Sequence, residues 1–377
     1  MQKTFLSYIE LSQANLIHNL KAFRAVVHPA IKVVGVVKAN AYGHGQQEVV
    51  SMLEGQLDYF QVDDLQELRL LRKISKMPTL VFGYVAQHEL EEAITLDGIL
   101  AVYDYERLER INQIAKKLYK KVLVHVKIDA CLGRQGLLVN EVENFAKYIK
   151  KFDYIVVDGV YSHFANIEDT TDFTHAQKQL NAFKEAIDLF RKNGFENINH
   201  HISATSGILV YEKDNHHNAL VRLGIGLYGL WPSHELKAAH KNITLKPVMR
   251  WVTHLAQIKT VPADYSIGYG LTYITTAPTK IGIIPQGYSD GYDRKLSNSG
   301  QVIINGTRCK VIGRVAMNMV AIDISHLADV RVEDEVVLLG RQGSEEISAE
   351  ELAEKTGTIN YEIIARISPL LPRVIKP

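Results

Sequence analysis

Lys38 stands where the apolar run "IKVVGVV" gives way to a small, glycine-containing turn, "ANAYGHG". A β-branched run of this kind reads as a buried strand, so the amine falls at the strand's carboxyl end, where α/β enzymes keep their chemistry. In a partly desolvated pocket the charged form of a lysine is disfavoured, and the free amine can act as a nucleophile, a base or the partner of a carbonyl cofactor. A lysine snorkelling from a strand end into solvent explains the same residue without chemistry. Tyr42, Arg134, His163, Ser206 and Arg222 also follow or end apolar runs. His163, in "GVYSHFAN", and Arg222 are placed to pair or stack inside a barrel mouth, although a histidine there also serves as a satisfied structural residue. "ATSGILVY" followed by "RLGIGLYG" offers a hydroxyl at a helix start and glycines that let backbone N–H groups approach a phosphate; turn chemistry explains it equally. Tyr269, in "SIGYGLTY", reads on spacing alone as a packed strand tyrosine with a wet hydroxyl.

The elements that must position these residues follow from the order of the runs. A helix is expected over Ser12 to Val27. "KVVGVV", "DYFQV", "TLVFGY", "GILAVY", "KVLVHVKI", "YIVVDGVYSHF", "NHHIS" and "VRLGIGLYG" then alternate with amphipathic helices such as "ERLERINQIAKKLYKK". Eight strands with intervening helices in about 230 residues predict an α/β chain opening with a (β/α)8 TIM barrel, with an open doubly wound sheet as the alternative. Beyond about Trp231, β-branched runs separated by turns such as "INGT" and "PAD", with one helix at "SAEELAEKTG", predict a C-terminal mostly β domain. The expected division is residues 1–240 and 241–377.

Composition narrows the partners. With 46% hydrophobic residues, 23% charged residues and a net charge of +1, the 377-residue chain carries cores for two domains but no basic footprint for nucleic acid or anionic lipid. Cys131 and Cys309 lack disulfide or metal spacing. No leader pattern and no apolar run of about 20 residues is present. A cytoplasmic protein with small-molecule partners, no membrane contact and no metal is expected.

Taken together, "VVKANAYGHG", "KIDACLGRQG", "GVYSHFAN", "VRLGIGLYG", "SIGYGLTY", "QGYSDGYDR", "GRVAMNM" and "INYEI" resemble the alanine racemase family, in order, over essentially the whole chain. The resemblance implies that Lys38 holds pyridoxal 5′-phosphate (PLP) as an imine and that Arg222 faces the pyridine nitrogen, hydrogen-bonded by His163. It implies phosphate contacts from Tyr42, Ser206, Gly224, Ile225 and Tyr361. Arg134 would lie near the cofactor's phenolic oxygen and the substrate carboxylate, which the backbone of Met317 from a partner subunit would also meet. Tyr269 would come from the partner of a head-to-tail homodimer with shared active sites. Tyr288, Arg294 and Glu168 would line the access corridor. Lys127 matches a position that is carbamylated in some members.

The implied activity is interconversion of L-alanine and D-alanine by two-base proton transfer. Lys38 would act on the D-antipode and Tyr269 on the L-antipode, supplying D-alanine for peptidoglycan. A broad-specificity or serine racemase would share nearly every motif. A fold-related PLP-dependent decarboxylase would have no role for Tyr269, and a non-enzymatic PLP carrier would lack the β domain. Departures from the family pattern are Ala130, Cys131 and Leu132 for Thr, Gly and Met, Ala316 and Asn318 for Cys and Asp, Glu168 for Asp, and no terminal tyrosine. Cys131 for Gly restricts the backbone if φ there is positive.

Overall fold

The computed structural model describes residues 5–211 and 218–377. Its first element is a strand, β1 (Tyr8–Ser12), followed by a helix over Gln13–Val26. The expected helix is thus present, but the strand before it was not foreseen. Its five residues bury only Ile9 and Leu11, a period-2 signal too short to stand out from sequence.

All eight expected barrel strands form: β2 (Lys32–Val36), β3 (Tyr59–Val62), β4 (Thr79–Val81), β5 (Gly98–Val102), β6 (Val122–Lys127), β7 (Ile155–Tyr161), β8 (Asn199–His201) and β9 (Leu220–Leu223). They are parallel, in the order β8-β7-β6-β5-β4-β3-β2-β9. Backbone bonds Ala219 N to His200 O (2.7 Å) and Arg222 N to Ser203 O (3.1 Å) bring β9 against β8. The ring therefore curls back on itself as a (β/α)8 barrel requires, which disposes of the open sheet. Inside it, Val34, Leu80, Phe82, Ile99, Ala101, Tyr161 and Leu220 form an apolar plug. One irregularity matters later: the β6–β7 register slips between Val124, opposite Val157, and His125, opposite Gly159, so Asp158 is bulged out of the ladder.

Among the described residues the chain divides into two compact units. The barrel unit is Ile17–Ala41 with Val49–Lys246; the other is Met1–Leu16, Tyr42–Glu48 and Pro247–Pro377. The sequence division at 240/241 assigned β1 to the barrel, whereas β1 is hydrogen-bonded between Met249–His254, antiparallel, and Arg373–Lys376, parallel. That sheet continues through Glu335–Gln342, Gln301–Ile304 and Thr307–Lys310. A three-stranded sheet (Gln257–Val261, Thr279–Ile284, Val320–Asp323), a small hairpin (Ser266–Ile267 with Tyr273–Ile274) and the strand Glu345–Ile347 beside Glu335–Gln342 complete this unit's β structure, joined by the expected late helix Ala349–Thr356 and a second, unforeseen one, Asn360–Ala365.

Candidate active site

Lys38 follows β2 and opens a turn of unusual hand. Ala39, Asn40, Ala41 and Tyr42 have φ of 52°, 53°, 53° and 53°, four consecutive non-glycine residues in the left-handed region. Each costs about 1–2 kcal/mol relative to the right-handed conformation, so the turn must be held by its surroundings. Glu67 supplies much of that hold: one carboxylate oxygen accepts from Ala39 N (2.6 Å), the other from Asp63 N (2.7 Å). Burial raises the pKa of Glu67, and these two N–H groups partly offset the shift. The Lys38 side chain is 42% exposed, with Nζ 3.9 Å from Asp63.

Arg222 projects from β9 into the barrel and is buried. One terminal nitrogen donates to Ser162 O (2.8 Å), Ile202 O (3.1 Å) and His163 Nδ1 (3.0 Å); the other donates to His201 Nδ1. The pairing of Arg222 with His163 is therefore present. Burial, reinforced by the charges of Arg222, Arg134, Lys127 and Lys38, drives the His163 pKa well down, so this ring is neutral while four cations bear on it. Lys127, on β6, is buried with Nζ over the Tyr161 ring at 5.2 Å. Burial first, then Arg134 and Arg222, lower its pKa to about 8.

Arg134 is exposed, on a turn organised by Asp129, whose carboxylate accepts from Leu132 N and Gly133 N at 2.9 Å each. Within that turn Cys131 has φ 63°, the positive value its replacement of glycine put in question. Ser206, in helix Thr205–Tyr211, donates to Glu168 (2.9 Å). Thr205 Oγ1 accepts from Gly224 N (3.1 Å) and Gly226 N (3.3 Å), which ties the glycine turn before Ile225 to the same helix.

In the second unit, Tyr269 occupies the tip of the small hairpin between Gly268 and Gly270, both at φ 72°, a backbone that side-chain-bearing residues adopt only with strain. Tyr269 is 73% exposed. Tyr288 and Met317 are brought together by backbone bonds Tyr288 N to Ala316 O (3.1 Å) and Ser289 N to Met317 O (3.0 Å). Asn318 reaches Ser289 Oγ at 2.8 Å. Tyr42 and Tyr361 lie with ring centroids 6.2 Å apart, and Arg294 is exposed.

Sequence reasoning missed Glu67, His125, Asp158 and His201. Glu67 had a signal: "DLQE" is a helix start, with Asp64 accepting from Glu67 N at 2.9 Å. His125 was visible only as one position in an apolar strand, and His201 only as one of two adjacent histidines in "NHHIS".

Family models match residues 11–232 as "Alanine racemase, N-terminal domain" and 248–375 as "Alanine racemase, C-terminal domain". An alanine racemase of Syntrophobacter fumaroxidans is 39% identical over 96% of this chain and 95% of its own length. The solved alanine racemase of Clostridium difficile 630 superposes with a TM-score of 0.93 at 34% identity, covering 100% of this chain and 97% of that one. The solved alanine racemase of Bartonella henselae with covalently bound pyridoxal phosphate, 24% identical over 99% of this chain and all of that one, shares the fold with a TM-score of 0.85. Barrel, β domain and likeness together define an isomerase, an enzyme of the amino-acid racemase class. The chain belongs to the alanine racemase family. Its β domain, matched along with the barrel, sets it apart from a barrel-only PLP carrier.

Proposed function

We propose that the protein interconverts L-alanine and D-alanine with pyridoxal 5′-phosphate, by proton transfer from two bases on opposite faces of the α-carbon. The observation that carries this reading is the convergence of Lys38, Lys127, Arg134 and Arg222 on one neutral histidine at the barrel's carboxyl-terminal side. Such a cluster fits a doubly anionic cofactor and a carboxylate substrate, and it includes the primary amine that a carbonyl cofactor needs. PLP, when bound, supplies an electron-withdrawing ring that stabilises negative charge at the α-carbon.

The remaining work falls to the chain's own residues. Lys38 binds the cofactor and afterwards moves the proton on one face; Tyr269, from a second copy, moves it on the other. Arg222 presents N–H donors to the pyridine nitrogen and hardly releases a proton, which keeps that nitrogen unprotonated. Ser206, Gly224, Ile225, Tyr42 and Tyr361 hold the phosphate, and Glu168 must then yield the Ser206 hydroxyl. Arg134 and the Met317 backbone orient the substrate carboxylate. Tyr288, Arg294 and Glu168 line the access corridor.

Lys127 is proposed to be carbamylated: a pKa near 8 leaves a useful fraction of free amine to react with carbon dioxide, and the product would replace one of four clustered positive charges with a negative one. A homodimer is supported by the exposed apolar side chains Tyr269, Leu271, Ile274, Met317 and Met319. Gly270 packs against Arg314, in the segment that leads to the two methionines. Among the described residues no helix is long and apolar enough to cross a membrane; a cytoplasmic role supplying D-alanine for peptidoglycan is part of the proposal.

The test is α-proton exchange of L-alanine in D2O with purified protein and PLP, with L-serine beside it. Deuterated D-alanine, lost in Lys38→Ala and Tyr269→Phe, is expected, with L-serine much slower. No exchange despite bound PLP would overturn the reading, and an equal serine rate would broaden it.

A further inference from the structure

Below Arg222 the barrel contains an unbroken polar path. Arg222 donates to His201 Nδ1; His201 Nε2 lies 2.9 Å from His125 Nδ1; His125 Nε2 lies 2.8 Å from an Asp158 carboxylate oxygen. Both rings are wholly buried, and burial lowers both pKa values, that of His201 far down with Arg222 adding to the effect. Each ring therefore carries a single proton.

That leaves one self-consistent arrangement. Arginine has only donors, so His201 Nδ1 must accept and His201 must carry its proton on Nε2. His201 then donates to His125 Nδ1, which forces the His125 proton onto Nε2, where only an acceptor satisfies it. Asp158 is that acceptor. Although burial alone would raise the Asp158 pKa, the hydrogen bonds of His125 and Asn199 and the charge of Lys32 lower it, so the group is an anion.

The fold makes specific room for this path. The bulge in β7 frees Asp158 from the ladder, and the opposing residue is Gly159, where a Cβ would collide with the His125 ring. Tyr161 stacks on His201 at 5.3 Å, fixing the ring plane.

We infer that Asp158, His125 and His201 form a one-way hydrogen-bond chain that orients Arg222 and holds it as a pure donor toward the cofactor ring. Asp158 is thus a positioning residue for the racemase, acting through two histidines on the guanidinium that the proposed function places at the pyridine nitrogen, and the inference rests on that reading. Asp158→Ala is the decisive variant. It removes the acceptor and leaves the His125 Nε2–H unpaired inside the barrel, whereas the Asp158→Asn carbonyl can still accept that proton.

The experiment combines long-range 1H–15N correlation of the imidazole nitrogens with PLP affinity and steady-state kinetics on the holoenzyme. In the wild type, His201 and His125 are expected as Nε2–H tautomers. Asp158→Ala should weaken PLP binding about tenfold and lower kcat while KM for alanine stays, with Asp158→Asn, whose carbonyl accepts the same proton, keeping both tautomers and recovering most of the loss. Asn199→Ala, which removes another polar neighbour of Asp158 (3.3 Å) but leaves the chain intact, should remain within about twofold of wild type. A wild-type Nδ1–H tautomer at either ring would overturn the inference, as would an Asp158→Ala holoenzyme with unchanged PLP affinity and kcat. Wild-type protein that binds no PLP would defeat the proposed function, while its histidine spectrum would still decide the chain.

Discussion

The barrel interior and the hairpin face of the second unit solve opposite problems with the same kind of residue. Around Arg222, the guanidinium, His163, His201, His125 and Asp158 all find partners within one chain, and the rings are neutral because they are buried. Around Tyr269, a phenol assigned equally demanding work stands 73% exposed beside Leu271 and Ile274. On the proposed function, one half of the site is pre-organised by folding and the other half would be completed by a second copy. Preorganisation removes reorganisation cost from catalysis, and the first half should survive the dilution that disables the second.

Lys38→Ala should break the chemistry itself: loss of exchange by at least about 1,000-fold, read as deuterium entering D-alanine. Tyr269→Phe should follow at about 100-fold or more, with the histidine signals of the barrel unchanged; changed signals would mean that the two regions are not independent. A charge on the exposed apolar face, Ile274→Glu, should lower the sedimenting mass to that of one chain and cost activity about tenfold at low protein concentration, recovering as concentration rises.

Acid should attack the barrel first. His125, His163 and His201 have depressed pKa values in the fold, so below about pH 6.5 the unfolded chain takes up protons that the folded chain refuses. Stability is fully present above that pH and falls as pH drops through it, by up to about 1.4 kcal/mol per ring per pH unit. Denaturant melts at pH 7, 6 and 5 should show the decline; a flat profile would contradict buried neutral rings. The smallest effect belongs to Glu168→Gln: with one negative charge removed from Ser206, PLP should be retained about threefold more tightly in a dialysis assay.

What the sequence revealed tracks how each feature is encoded. Most barrel strands lie in largely apolar runs because both faces of a parallel sheet are covered; β8, Asn199–His201, does not, yet all eight were expected. The concern over Cys131 was legible because one substitution at a turn has one conformational meaning, and its φ is positive. β1 was not legible, since two buried residues in five do not distinguish a strand from the approach to a helix. Nor was the path from His125 to Asp158, which depends on a register slip that shifts one acidic side chain into reach of a ring 33 residues away in sequence. The left-handed turn after Lys38 was hidden for the opposite reason: Ala39, Asn40 and Ala41 are unremarkable residues forced into place by Glu67 and other distant parts of the fold.

The position of β1 has a further consequence for how the protein is made. Ile9 pairs with Trp251 on one side and Arg373 on the other. β1 therefore waits for partners far along the chain, while the barrel's local βα contacts form between them. A strand peptide matching Arg373–Lys376 added during refolding would compete for the edge that β1 offers.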